Sequence, residues 1–262
     1  CITFDGFEPE DATKSMLRDL SCVYDIFEEQ RGISASWNNS ITECIGIDAD
    51  LICVLNDDVE LLNDLPAMYC DFMTRNPNVK IACSLDRLTA WSVLPFVKEM
   101  YPREWAYDRL PPETGLASKI YHPLSGEQLA GRIAETTPEF VRCRMNGACF
   151  VMTRECVEEN GLFDERFVPP GTSEDVDVWE RTLNKYGPDS MGTLTRSFIH
   201  HIRTATISNY PREWANAQVA KNAAYYRSKW PRNVYGPLED WFSTVNALPI
   251  NAPEPPFPGI PK

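Results

Sequence analysis

Three places in the chain combine residue types that could do metal or acid–base chemistry. Asn56-Asp57-Asp58 ends the apolar run Leu51 to Leu55 with two adjacent carboxylates. Glu174-Asp175 lies near the front of GTSEDVDVWERTLNKYG, residues 171 to 187, and His200-His201 closes an apolar run that begins near Gly192. A carboxylate and an imidazole that meet at one point can hold a divalent cation, and a histidine among oxygen donors tilts the choice from Mg2+ toward Mn2+. A second carboxylate facing that cation can take a proton from a hydroxyl group. Each segment alone has a plainer explanation. Acidic strand-to-helix turns are commonly solvated, acids in a first helical turn answer the helix dipole, and a strand-end histidine is more often structural. They gain weight together, because ligands of open α/β sheets gather at the carboxyl ends of strands.

The surrounding pattern supplies such strands. Cys1-Ile2-Thr3-Phe4 reads as a strand, followed by a helix from near Pro9 with Ala12, Met16, Leu17 and Leu20 on one face. Trp37, Ile41, Cys44 and Ile45 mark a second helix, and Leu65, Met68 and Phe72 a third, closed by Asn76-Pro77. Between them Leu51 to Leu55 reads as a central parallel strand covered on both faces. Val79 to Ser84 is the next strand. From Asp86 to Met145 periodicity fades while aromatics and prolines accumulate, a segment that reads equally as a lid or binding region and as a helical insertion. Its aromatics between Trp91 and Tyr121 suit either stacking on sugar rings or a core. Regularity returns with a strand over Ala148 to Thr153 and a helix over Arg154 to Asn160 stopped by Gly161. Thr172-Ser173 are expected to cap a helix bearing Val176, Trp179 and Leu183, in whose first turn Glu174 and Asp175 stay ionised. A strand over Gly192 to Ile199, a helix over Trp214 to Trp230 and a proline-rich tail from residue 249 complete the chain. This alternation predicts an α/β fold with a mainly parallel, Rossmann-like central sheet flanked by helices.

Bulk properties narrow the function. A length of 262 residues suits one large domain, or two half-domains sharing a cleft. A formal charge of −13 argues against a sequence-independent grip on nucleic acid, which needs clustered Lys and Arg, and means that a phosphorylated substrate would require a cation as intermediary. No apolar run is long enough to cross a bilayer. Nine cysteines without a C-x-x-C pair read as buried free thiols in a reducing, cytoplasmic compartment, with any membrane association supplied by other segments or partners. The sequon Asn38-Asn39-Ser40 falls inside an expected helix and reads as accidental.

In their order these segments resemble the family 2 glycosyltransferases of the GT-A fold, and look most like the rhamnosyltransferase-type branch. The likeness rests on the D-x-D-like triplet at Asn56 to Asp58, the glycine-led strand at Gly147, G-x-F-D-E-x-F from Gly161 to Phe167, E-D-x-D-x-x-x-R from Glu174 to Arg181, the strand-end histidines, and Tyr226-x-x-Lys229-Trp230. It covers most of residues 1 to 230 outside 86 to 145. It implies one GT-A domain over 1–248, with a nucleotide-sugar-binding half (1–85), an acceptor-binding and catalytic half (86–248) carrying an acceptor-side insertion, and a tail over 249–262. It further implies that Asp5 reads the nucleotide base and that Asn56, Asp57, Gly147 and Arg181 attend the nucleotide-sugar. Asp58 and His200 or His201 would hold Mn2+ or Mg2+. Asp175 would be the catalytic base, Glu174 would orient the acceptor, and Trp179 and Arg181 would support the helix. The family's usual first strand, ahead of Asp5, is missing, so the sequence reads as shortened at its start, and the triplet opens with Asn rather than Asp.

The expectation is an inverting, metal-dependent transferase that moves a sugar from a nucleoside-diphosphate donor to the hydroxyl of a glycan or glycoconjugate. Two other readings stand beside it. One is a catalytically silent module of the same fold within a larger polypeptide or assembly. The other is a nucleotidyltransferase, disfavoured because no basic, glycine-rich phosphate loop is present.

Overall fold

The computed structural model describes residues 1–61, 63–100, 131–133, 135–142, 147–169, 171–201 and 210–230. The aromatic stretch from 101 to 121, His122, Cys143, Met145 and the tail lie outside them. The described chain runs β1 (Ile2–Asp5), α1 (Asp11–Asp19), β2 (Tyr24–Phe27), α2 (Ile33–Gly46), β3 (Leu51–Leu55), β4 (Val59–Leu61), α3 (Leu65–Arg75) and β5 (Ile81–Leu85). It continues with α4 (Arg87–Val93), α5 (Pro95–Met100), β6 (Phe140–Val141), β7 (Cys149–Thr153), α6 (Arg154–Asn160), α7 (Glu174–Tyr186), β8 (Met191–His201) and α8 (Arg212–Lys229).

The fold is mixed α/β, a central sheet flanked by helices. Strand order in the large sheet is β3-β7-β5-β8-β4, with β6 also on β8, while β1 and β2 form a separate parallel pair. Pairing is mixed rather than mainly parallel. β5 and β8 run parallel, but β7 lies antiparallel between β3 and β5, and β4 and β6 are antiparallel to β8. β3 is correspondingly an edge strand, not a central one covered on both faces. Ile52 and Val54 are buried, whereas Cys53 and Leu55 are exposed. Continuous hydrophobicity could not reveal this, because a short apolar run reads alike at the edge and at the centre of a sheet.

Helices cover both faces. On one, Trp37 and Ile41 of α2 meet Ile52 and Val54 of β3, Phe150 and Met152 of β7, Val176 and Trp179 of α7 and Tyr226 of α8. Trp37 stands edge-on to Phe150 at 5.7 Å and to Phe163 at 4.9 Å. On the other face Leu65, Tyr69 and Phe72 of α3 pack on Ala82, Cys149, Val151 and Leu194. The α1 stripe is weaker than its spacing suggested: Leu17 is buried, but Met16 and Leu20 are exposed. The cysteines are likewise less uniformly buried than expected, with Cys83, Cys149 and Cys156 inside and Cys1, Cys53 and Cys70 exposed. β8 is bent: Ser84 opposes Leu194 while Leu85 opposes Phe198, and the intervening residues bulge toward Asn63, whose amide donates to the Arg196 carbonyl at 2.7 Å. The bulge carries the end of β8 against β4. No helix among the described residues is long and apolar enough to cross a membrane.

Candidate active site

The β4–β8 ladder places the histidines. Val59 opposes His201 and Glu60 opposes His200. Successive strand residues point to opposite faces, so the two imidazoles diverge. His201 Nε2 stands 3.2 Å from Asp58 Oδ1, on the side of the acidic triplet. His200 turns inward, its Nδ1 3.6 Å from Glu60 Oε2. Burial, then the neighbouring Arg87 and His201 charges, push its pKa down to about 4, which keeps the imidazole neutral, and its Nδ1 is buried without a hydrogen-bond partner among the described residues. Of the two histidines expected at a metal, His201 alone meets Asp58. Asp57 is exposed at the turn. Among the described residues no cluster of three or more His, Cys, Asp or Glu side chains converges, so a cation here would rely on one oxygen and one nitrogen donor from the chain.

The triplet is tied directly to the second acidic segment. The Asn56 N–H donates to the Ala148 carbonyl at 2.9 Å, and the Asn56 side-chain oxygen is buried without a hydrogen-bond partner among the described residues. Gly147, the next residue back, lies against Asp175, where a methyl group would stand 2.4 Å from Asp175 Oδ2. Asp175 Oδ1 accepts from the Val176 N–H at 2.8 Å. Burial pushes Asp175 up to about 6. It also raises Glu174, with help from the Asp175 charge, to about 8. The helix dipole therefore does not keep both acids in their ordinary range: desolvation outweighs it. Nor does Ser173 cap α7 through its hydroxyl. It sits at φ 72° with no cap hydrogen bond, its Oγ buried and unpartnered, as is Glu174 Oε2. Asn56 Oδ1, Ser173 Oγ and Glu174 Oε2 are thus each buried without a hydrogen-bond partner among the described residues.

Asp5 belongs to the same neighbourhood. Its carboxylate, at the end of β1, accepts from the N–H groups of Arg31 at 2.6 Å and Gly32 at 2.8 Å, which fixes the entry to α2. Gly32 and Ile33 abut Pro169 and Gly171 of the loop that leads into α7. Two buried asparagines hold that loop: Asn38, marked in the sequence only as the start of a sequon, and Asn222, which belongs to no motif. Asn38 of α2 accepts from the Phe163 N–H and donates to the Phe163 carbonyl, both at 2.8 Å. This engagement also makes it an unsuitable glycan acceptor. Asn222 of α8 brackets Val168 in the same way, accepting at 2.8 Å and donating at 2.9 Å. An asparagine set in an apolar helical stripe was the available signal. Asn222→Ala strands both Val168 groups and is expected to cost about 2 kcal/mol, checked as a lowered denaturant midpoint with unchanged slope.

Arg181, expected at the nucleotide-sugar as well as in the supporting helix, spends its guanidinium on α7 and the end of α6. Its guanidinium donates to Asp177 Oδ2 at 3.0 Å, to the Asn160 carbonyl, to the Gly161 carbonyl at 3.1 Å and to the Leu162 carbonyl at 2.9 Å, closing the end of α6. Asp177 is fully buried and also takes Lys229 Nζ at 2.7 Å and Trp230 Nε1 at 2.8 Å. Lys229 bridges to Asp164 at 2.9 Å. Burial alone would raise Asp164, yet hydrogen bonds from Arg166, Lys229 and Tyr225 hold it well below the usual carboxylate range. Asp164, Asp177, Arg181 and Lys229-Trp230 thus form one clamp that locks α7 to α8.

No protein-family model matches this chain, and no curated protein matches it. Among solved structures it is similar to glucosyl-3-phosphoglycerate synthase from Mycobacterium tuberculosis in complex with Mn2+ and UDP-glucose, at 14% identity, TM-score 0.46, covering 90% of this chain and 69% of that one. The same enzyme bound to phosphoglyceric acid gives 15% identity and TM-score 0.47, over 90% and 70% of the two chains. GalNAc-T7 with UDP, GalNAc and Mn2+ gives 13% identity and TM-score 0.44, over 93% and 47%. At these identities and scores the functional argument falls to the geometry of the chain's own residues.

Proposed function

We propose that this protein is a metal-dependent glycosyltransferase of the GT-A kind, transferring a sugar from a nucleoside diphosphate to a hydroxyl acceptor with inversion. The observation that carries the reading is the contact chain from Asp175 through Gly147 and Ala148 to Asn56, two residues from the Asp58–His201 pair. It joins a buried carboxylate of raised basicity to a carboxylate–imidazole pair across one strand end. The donors present, one oxygen and one nitrogen, fit Mn2+. A cation held by Asp58 and His201 supplies charge neutralisation for a diphosphate leaving group.

Residues 1–85 then serve the donor, with Asp5 at the base and Asn56 and Asp57 near the ribose, and residues 86–248 serve the acceptor. Gly147 leaves room for Asp175, which takes the proton of the acceptor hydroxyl as that oxygen bonds to the anomeric carbon and the bond to the diphosphate breaks. Glu174, neutral at pH 7, can donate a hydrogen bond to the acceptor as well as accept one.

The test is turnover of a panel of nucleoside-diphosphate sugars with and without Mn2+, with the anomeric configuration of the product read by NMR. Turnover that depends on Mn2+, and a product of opposite configuration to the donor, are expected. His201→Ala should weaken the stimulation by Mn2+ by at least the about 10- to 100-fold in metal affinity that loss of a residue merely hydrogen-bonded to a metal ligand costs, whereas His200→Ala should keep it. Binding of nucleotides without any turnover would instead point to the silent module.

A further inference from the structure

The loop that joins β2 to α2, residues 28–32, carries flat groups that the reaction proposed above leaves unused. It lies at the carboxyl ends of β1 and β2, the side on which ligands of α/β sheets gather. Gln30 packs on Gly6, the residue after Asp5, so closely that a methyl group on Gly6 would stand 2.9 Å from the Gln30 Cβ. The Gln30 side chain reaches outward, and its Oε1 accepts from the Tyr210 hydroxyl at 2.5 Å. Tyr210 in turn stacks on Trp214, in the first turn of α8, with ring centroids 4.6 Å and planes 27° apart. The pair is thus held at one end by Gln30 and at the other by the helix, yet Trp214 keeps 38% of its surface open to solvent. The next residue of the loop offers a second flat group. The Arg31 guanidinium lies 4.5 Å over the Phe27 ring, with 53% of its side chain exposed. Between them, both oxygens of Asp5 are engaged by the N–H groups of Arg31 and Gly32.

We propose that Tyr210 and Trp214 form a stacking platform for the base of the donor nucleotide, with the Arg31 guanidinium on Phe27 as a second flat surface beside it. This rests on the donor reading above and adds to it the residues that grip the nucleoside. The chemistry selects a base over a sugar. An indole face and a guanidinium plane both stack on a planar π system, whereas a puckered sugar ring can rest on the indole but offers the guanidinium no flat partner. The charge balance calls for such a grip. With a formal charge of −13 and a cation resting on one oxygen and one nitrogen donor, the protein holds a diphosphate weakly unless the nucleoside is held as well. Stacking tolerates any base, because every base has a π face, so this platform sets affinity for the nucleotide with only modest choice among bases. Gln30 is a positioning residue: it ties Tyr210, and through it Trp214, to the loop beside Asp5.

The experiment is calorimetry on the whole chain with UDP, GDP and ADP, and with inorganic pyrophosphate as the base-free control, each in the presence of Mn2+. Trp214→Ala should weaken all three nucleotides by about 10- to 100-fold and leave pyrophosphate within a few-fold. Trp214→Phe should restore most of the affinity, and Gln30→Ala should lose part of it as Tyr210 loses its tether. Unchanged nucleotide affinity in Trp214→Ala, or an equal loss for pyrophosphate, would overturn the platform. Where the parent chain still transfers sugar, either result leaves the transferase reading standing. A parent chain that binds none of the nucleotides and turns over no donor would overturn both.

Discussion

Asp175→Asn is expected to lower turnover by about 10²- to 10⁴-fold, the range a positioned general base contributes, while nucleotide-sugar binding stays within a few-fold. The substitution is nearly isosteric. An Asn side-chain oxygen can still accept from the Val176 N–H, as Asp175 Oδ1 does at 2.8 Å, so α7 should start unchanged. What is lost is the capacity to take a proton. Burial raises Asp175 to about 6, which makes it a stronger base than a solvated carboxylate at the cost of being protonated in mild acid. The sign follows directly: only the ionised form can act, so the rate of the parent protein should fall as pH drops through about 6, and the residual rate of Asp175→Asn should lack that limb. Glu174, raised to about 8 by burial and by the Asp175 charge, ionises in a second, higher step, so the limb near 6 is the first of two that belong to the pair. Steady-state rates from pH 5 to 8 for both proteins, with donor affinity by calorimetry, decide the matter. Undiminished turnover in the variant would remove Asp175 from the reaction.

Much of this arrangement was legible in the sequence, for reasons that differ by residue. Strand-end positions of Asp5, Asn56 and His201 followed from apolar runs that stop at polar residues, because burial of a strand is a local property. Pairing is not local. That β7 would insert antiparallel between β3 and β5 depends on where Ala148 to Thr153 returns, and nothing within Leu51 to Leu55 encodes it. Strands as short as β2 and β4 carried too few residues to show a period. The divergence of His200 and His201 was implicit in the alternation of a strand but required knowing that β8 stays extended to its last residue. The acidity of Glu174 and Asp175 was misread because helix position is visible in a sequence and desolvation is not. The roles of Asn38 and Asn222 escaped notice for a related cause: each residue bonds a backbone more than fifty residues away, and a polar residue in a helix announces no such partner.

Gly147→Ala should be the second severe change, and it acts without touching a functional group. The added methyl would stand 3.0 Å from Asp175 Cγ, 3.2 Å from its Cβ and 2.4 Å from its Oδ2, the last closer than unbonded atoms can remain. One side must yield. If the carboxylate yields, it leaves the position fixed by the Val176 N–H; if the backbone yields, the Ala148 carbonyl is pulled from the Asn56 N–H, now at 2.9 Å. Either displacement separates the base from the strand end that would hold the donor, and a misplacement of about 1 Å can cost about 10²-fold in turnover. Stability should suffer far less, because the end of a side chain can move more cheaply than a packed core; a change of about 1 kcal/mol is expected. The decisive measurement is the double variant with Asp175→Asn. If Gly147 acts only by leaving room for that carboxylate, adding Gly147→Ala to Asp175→Asn should lower turnover by much less than it does in the parent. Full additivity of the two losses would mean that Gly147 serves something other than Asp175.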